Sequence, residues 1–229
     1  MTPNYPVTYP AVYKDAHGED PATIVNDGKS LRLVVRNVEF TGDDLDGLEP
    51  TVGWGHPDVE SFPQHWVRGA PADLCDFALE WDMRVPVQVD STVVEAVLHA
   101  QLEIGPPQEK YVADLEKLKL TLHLGGTAYE SRGVSGWFDD GMLDLRKMLP
   151  PGVFIRTCHS CQYSDYPVAG YGLFGALLCF RDRKSEYLAT INKAAFTHVM
   201  MDYTERVQET HFCPEFDLRT FAVGYRGIS

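Results

Sequence analysis

No stretch of this chain approaches the roughly 18–20 consecutive apolar residues that a membrane-crossing helix needs. Its opening, Met1-Thr2-Pro3-Asn4-Tyr5, has neither the basic patch nor the apolar run of a secretory leader. Both absences point to a cytoplasmic protein. Basic charge is scarce as well: 20 Lys and Arg stand against 33 Asp and Glu, a net charge of −13. Such a surface repels nucleic-acid phosphates and anionic lipids, so neither nucleic acid nor membrane is expected as a partner. Cysteine is sparse and odd in number, with five residues, which argues against a disulfide framework. Internal repeats and low-complexity tracts are missing too.

What remains is ordinary globular composition over 229 residues, 44% hydrophobic and 23% charged, enough to bury a real core without staples. The first part reads as strands. Val7–Tyr13 and Ala22–Val25 flank the turn-like Asp15-Ala16-His17-Gly18, and Asn26-Asp27-Gly28 marks a second turn. Leu31, Leu33 and Val35 alternate with more polar neighbours. Thr41–Gly69 reads as a long loop with one short helical turn at Asp43–Leu48. Leu74–Val89 is strand-like, and Pro86 within it favours an edge or a bend. Leu98 to Ile104 and Leu118 to Leu124 keep strict period two, and Gly125-Gly126 turns the chain into Thr127–Arg132. The character changes near Ser135. Helices are predicted over Trp137–Leu149 and Lys193–Thr210, with a buried strand at Val153–Thr157. The expected fold is α+β. An acidic, antiparallel β-rich lobe over 1–134, a sandwich or a curved sheet, packs on a smaller α/β lobe over 135–229. No flexible linker separates them, so one continuous domain is the other reading.

Four cysteines fall in that second lobe. Cys158-His159-Ser160-Cys161 places two thiols at C-x2-C spacing after an apolar strand, a turn that supplies half of many zinc sites. Cys179 and Cys213 would supply the other half. Four thiolates make a closed tetrahedral site with no open position for catalysis. Three alternatives stand beside that structural zinc site. His159 or His211 would replace one thiolate, the cysteines would be plain buried residues, or the C-x2-C pair would do redox chemistry. Cys75, on a predicted strand, reads as structural.

Between Cys161 and Cys179, Tyr163, Asp165 and Tyr166 in a Gly- and Tyr-rich segment suit a recognition surface, or else wrap the metal knuckle. No nucleophile-elbow pattern surrounds Ser164, which disfavours a triad with Asp165 and His159. Arg181, Arg183 and Lys184 form a small basic patch, read as pairing with the acidic lobe. Asp43, Asp44 and Asp46, with Glu49, crowd one loop without the order of a calcium loop, and so read first as a solvated acidic turn. His99 and His123 lie on the polar faces of neighbouring strands. Residues 1–90 hold 16 acidic side chains against 6 basic ones, whereas 91–229 hold 17 against 14. The acidity therefore sits in the first lobe, where it attracts a basic partner or serves solubility.

The run Cys158-His159-Ser160-Cys161-Gln162-Tyr163-Ser164-Asp165-Tyr166 is followed by Gly172-Leu173-Phe174-Gly175 and Cys179-Phe180-Arg181. Together with Val207-Gln208-Glu209-Thr210, Cys213-Pro214-Glu215-Phe216 and the early Val38-Glu39-Phe40 to Leu48-Glu49-Pro50, it resembles a mainly actinobacterial family of unknown function. That resemblance implies a bacterial cytoplasmic protein and supplies no activity. Two functional expectations follow from the residues. The first is a non-catalytic acidic binding protein, a neutraliser or adaptor, with a structural zinc. The second is a zinc-dependent hydrolase whose Cys/His site leaves one metal position open to water.

Overall fold

Alternating apolar and polar residues build a run of hairpins at the start of the computed structural model, which describes residues 6–28, 30–67, 70–106, 116–168, 173–175 and 177–219. Strand β1 (Val7–Asp15) pairs antiparallel with β2 (Gly18–Asn26), as their turn signal predicts. Asp15 accepts the His17 N–H at 2.8 Å, and Gly18 takes φ +116, a value only glycine holds without strain. The second turn closes as expected too, with the Gly28 N–H on Asn26 Oδ1 at 2.6 Å. Strands β3 (Leu31–Val35) and β4 (Val38–Gly42) are joined by Arg36-Asn37, both at positive φ. Arginine is uncommon there. Its guanidinium holds the turn against β1 and β2, reaching Asp15 at 2.7 and 2.8 Å and Asp20 at 2.7 Å while lying over the Tyr13 and Phe62 rings.

The acidic loop forms bends, not the helical turn expected at Asp43–Leu48, and leads into the short β5 (Glu49–Pro50). A small ladder of β6 (Gln64–Val67) and β7 (Ala70–Leu74) follows. The predicted strand Leu74–Val89 is broken at Asp76, whose φ of +53 interrupts the pleat before β8 (Phe77–Val89). Strand β9 (Thr92–Ile104) pairs with β8 along its whole length, then come β10 (Glu116–Leu124) and β11 (Thr127–Glu130). These strands make one antiparallel sheet in the order β11-β10-β9-β8-β1-β2-β3-β4-β5, with β12 (Val153–Ile155) also on β8. Of the two β architectures the alternation allowed, the chain makes a single large sheet.

One face of that sheet carries Tyr13, Ile24, Leu33, Phe40, Leu79, Met83, Leu98, Leu120 and their neighbours into the main core. Helix α1 (Phe138–Met148) forms where predicted and lays Phe138, Met142 and Leu145 on this core. Ile155, Leu173 and Phe174 join it, so the core runs past residue 135 into the second lobe.

The ladder on β8 has a gap. The Asp27 N–H bonds the Ser30 carbonyl in register with the β2/β3 pairing, which directs odd residues of β2 to β3 and even ones to β1. By the same register, even residues of β1 face β8. Pro10 is one of them and has no N–H to give, and the β1/β8 ladder stops at Ala11↔Trp81. The β12/β8 ladder begins at Ile155↔Val87, and Arg156 N–H reaches the Pro86 carbonyl. Pro86 therefore lies inside a central strand, not on an edge, and is tolerated because its N–H side falls where the ladder ends.

The C-terminal part holds a three-stranded sheet of β13 (Ser164–Asp165), β14 (Leu177–Cys179) and β15 (Glu205–Val207), with short helices α2 (Lys184–Leu188) and α3 (Lys193–Val199). The helix expected over Lys193–Thr210 stops at Val199. Beyond it, Glu205–Val207 takes the open edge of β14, a tertiary pairing that overrides local helical periodicity. Phe180, Tyr187 and Phe196 stack into a small second core. No helix among the described residues is long and apolar enough to cross a membrane.

Candidate functional site

Three segments carry the four cysteines into one part of the second lobe. Cys158 and Cys161 bracket a single 3-10 turn, closed by the Cys161 N–H on the Cys158 carbonyl at 3.1 Å. Cys179 ends β14, opposite Ser164 and Glu205. The segment bearing Cys213 is docked by Arg156, whose guanidinium lies over the Phe212 and Phe216 rings, and by the Cys158 N–H on the His211 carbonyl at 2.6 Å. All four thiols are buried and none is in a disulfide. Burial, then Cys161, Cys179 and Cys213 in turn, raise the Cys158 thiol well above its ordinary range. Burial pushes Cys179 up to about 11, against the Arg181 main-chain N–H, and raises Cys161 against the N–H groups of Asp217 and Tyr163.

Two consequences follow. Redox chemistry at a C-x2-C pair wants a depressed thiol, and the shift here runs the other way. Thiolate is the ligand type zinc favours, and two of the buried sulfurs, those of Cys161 and Cys179, receive main-chain N–H groups. The geometry as it stands is looser than a cage. Among the described residues no three His, Cys, Asp or Glu side chains lie close enough together to share an ion. The thiols feel one another's charge without touching. Cys75 lies apart in the main core, its thiol raised by burial to about 12.

Beside the thiols runs a buried polar network. His159 Nε2 and Asp139 Oδ1 are 2.7 Å apart, joining the C-x2-C turn to α1. Glu209 is fully buried, accepts the Gly175 N–H at 2.8 Å and the Tyr166 hydroxyl at 3.3 Å, and its carbonyl receives the His159 N–H at 3.0 Å. Desolvation raises its carboxyl to about 7 despite those donors. Asp165, also buried, accepts the Tyr187 hydroxyl at 2.8 Å, and Arg219 reaches Tyr187 and the Ser164 carbonyl. Ser164 donates its hydroxyl to the Cys158 carbonyl. Ser164, Asp165 and His159 thus serve three different partners and do not form a relay.

The residues singled out for recognition scatter. Asp165 and Tyr166 are interior scaffold, and only Tyr163 reaches the surface, under Lys184 and bonded to Asp217 at 3.1 Å. Residues 169–172 of that segment lie outside the described residues. Asp43, Asp44 and Asp46 do sit together, yet they present less charge than their number suggests. Asp43 pairs with Arg206 across the lobes at 3.3 Å. Burial, then a hydrogen bond with Asp46, raises Asp44 to about 8, so that pair keeps a proton at neutral pH. Arg181, Arg183 and Lys184 meet Glu205, Glu186 and Glu215 of their own lobe, not the acidic one. His99 pairs with Asp82 at 2.8 Å and stands opposite Thr121, while His123 stands opposite Val97. Glu209 and Asp139 were missed because each looks like a surface residue in the sequence.

No curated protein and no solved structure matches the chain. Residues 7–164, more than half of its length, match a family of unknown function, DUF6304, a span that takes in the main sheet, α1 and the C-x2-C turn but stops short of Cys179 and Cys213; the chain belongs to that family.

Proposed function

We propose that this chain is a non-catalytic acidic binding protein, of neutraliser or adaptor type, whose C-terminal lobe is held by a structural zinc on Cys158, Cys161, Cys179 and Cys213. The observation that carries the reading is the state of the polar groups beside the thiols. The side chains that hydrolysis would need are committed to scaffold bonds, Ser164 to a carbonyl and His159 to Asp139. Burial with Arg156 stacking and main-chain N–H···S contacts is what a ligand framework requires before the metal draws the sulfurs together. The net charge of −13 favours a basic partner protein, reached by electrostatic steering.

The test has two arms. Protein purified under reducing conditions without chelator should carry about one zinc per chain. A natural partner should be basic, and its association rate should fall steeply between low and physiological salt while dissociation changes less. Metal-free, fully folded protein removes the zinc. An acidic partner, or an association rate flat with salt, removes the binding reading. The hydrolase alternative draws on one observation, the near-neutral buried Glu209 beside Asp139 and His159, and would show as a three-ligand site with bound water.

A further inference from the structure

One strained turn ties the two lobes together. Leu173 and Phe174 belong by sequence to the second lobe, yet both are buried in the main core of the first. The Phe174 ring meets Phe138 of α1, Trp81 of β8 and Tyr9 of β1 at centroid distances of 5.4, 5.7 and 5.8 Å. Its backbone has φ +74, a conformation that a bulky residue holds only under constraint, and Gly175 follows at φ +137. The acidic loop is fastened to the same turn. The Leu45 N–H donates to the Leu173 carbonyl at 3.1 Å, and a methyl on Gly175 would stand 3.2 Å from the Asp43 carbonyl oxygen.

The Gly175 N–H is held by Glu209 at 2.8 Å. That carboxyl is an unusual anchor. It is fully buried, and its side-chain bonds are to two neutral donors, the Gly175 N–H and the Tyr166 hydroxyl at 3.3 Å. Among the described residues no lysine or arginine pairs with it. The titratable groups around it are Tyr9 of β1, Asp44 of the acidic loop, Asp139 of α1, Tyr166 and, through its main chain, His159. Two of these are carboxyls, and the one imidazole is engaged by Asp139 at 2.7 Å. Asp43, the next acid of the loop, is taken by Arg206 at 3.3 Å. A neutral carboxyl suits such a place, whereas a carboxylate there lacks both a cation and water.

We propose that Leu173, Phe174 and Gly175 form a pH-sensitive strap between the lobes, fastened while Glu209 keeps its proton and loosened when that carboxyl ionises. Moving the turn away from Glu209 gives the carboxyl water. The open form then ionises at the ordinary 4.5, the closed form at about 7. By linkage the opening equilibrium grows with pH across that window, on the order of 100-fold between pH 4.5 and 7.5, and levels off above. The same movement relieves the backbone at Phe174, while loss of ring burial opposes it. The closed form therefore stays dominant, and pH sets how often the strap opens. Each opening frees the acidic loop from the second lobe at Leu45 and uncovers Tyr9, Trp81 and Phe138. This goes beyond the binding reading and does not depend on it.

Amide exchange on isotope-labelled full-length protein reads the opening. After correction for the intrinsic pH dependence of exchange, protection of the Gly175 and Leu45 amides should fall together, on the order of 100-fold from pH 4.5 to 7.5. At each pH both should be at least about tenfold less protected than Leu98 and Ala100 in β9. Low urea, which promotes global unfolding, should leave the two strap amides unchanged. Glu209→Gln should hold their protection level across the whole range. Tyr166→Phe removes a donor to the ionised form and should carry the fall to higher pH. Strap amides whose protection does not fall with pH in the wild type, falls equally in Glu209→Gln, or matches that of Leu98 and Ala100 at every pH overturn the proposal.

Discussion

Glu209 has the clearest consequence among single residues. Its folded-state carboxyl sits near 7 against an ordinary 4.5. Over that window the unfolded chain has released a proton that the folded chain still holds. Folding stability therefore falls as pH rises from about 4.5 to about 7 and is level above. The size is on the order of 3 kcal/mol, from about 1.4 kcal/mol for each tenfold difference in proton affinity between the folded and unfolded chain. Glu209→Gln should remove this slope, because its amide oxygen can still accept from the Gly175 N–H and its NH2 can donate to the Tyr166 hydroxyl oxygen, without carrying charge. The difference in melting temperature, variant minus wild type, should grow from pH 4.5 to 7 and then stay constant. A difference flat with pH would mean Glu209 is ionised in the folded protein. His211, lowered by burial, pulls wild-type stability the other way below its ordinary 6.5, which is why the comparison is with the variant. Arg36 makes a second case. Arg36→Ala removes charge-assisted bonds to Asp15 and Asp20 and should cost roughly 2–4 kcal/mol in denaturant unfolding. Arg36→Lys keeps the charge but loses the fork, and should recover less than half.

At the level of elements, α1 and β10 meet through a glycine. A methyl on Gly141 would stand 2.8 Å from Leu120 Cδ1, a side chain that is itself fully buried and cannot swing out. Gly141→Ala in a free helix would gain up to about 1 kcal/mol; here it should instead cost roughly 1–3 kcal/mol through overpacking. In a Leu120→Ala background, where the space exists, the same change should become neutral or stabilising. A double-mutant cycle on denaturation midpoints reads this coupling directly, and additive costs would refute the contact. The hairpins and α1 were legible because their signals are local: period two, turn residues at fixed places, acidic residues ahead of an apolar stripe. The end of α3 was not, since Phe196, Val199, Met200, Tyr203 and Val207 keep helical spacing through a segment whose last part pairs with β14. Local periodicity cannot report that an edge two dozen residues upstream is vacant.

For the whole molecule, the metal and the field are the two quantities to measure. If the proposed zinc site holds, Cys161→Ser should lower zinc content and melt the C-terminal lobe first, leaving the β8/β9 amides protected. Unchanged metal and melting would show that Cys161 is not a ligand. The acidity raises a subtler expectation. Asp43, Asp44 and Asp46 count as three charges in the sequence, but the Arg206 pair and the shared proton leave the loop with about one. Asp46→Asn should therefore change the association rate with a basic partner little, as stopped-flow rates at low salt would show. Asp46→Asn should act mainly on stability, because its partner Asp44 is half-buried. The sequence by itself determined the strand-rich first lobe, α1, the turns at Asp15–Gly18 and Gly125-Gly126, the acidity and the gathering of four cysteines in the last part of the chain. These rest on composition and on side-chain spacing along one strand or helix, which are local quantities. Tertiary structure alone decided that the long strands join in one large sheet and that the second neighbour of β8 changes from β1 to β12 between Pro10 and Pro86. It also decided that Asp165, Tyr166 and Glu209 are interior and that acidic neighbours share a proton. Each depends on which distant segment comes to lie alongside, and burial and proximity in space, which set pKa and pairing, have no signature in the order of residues.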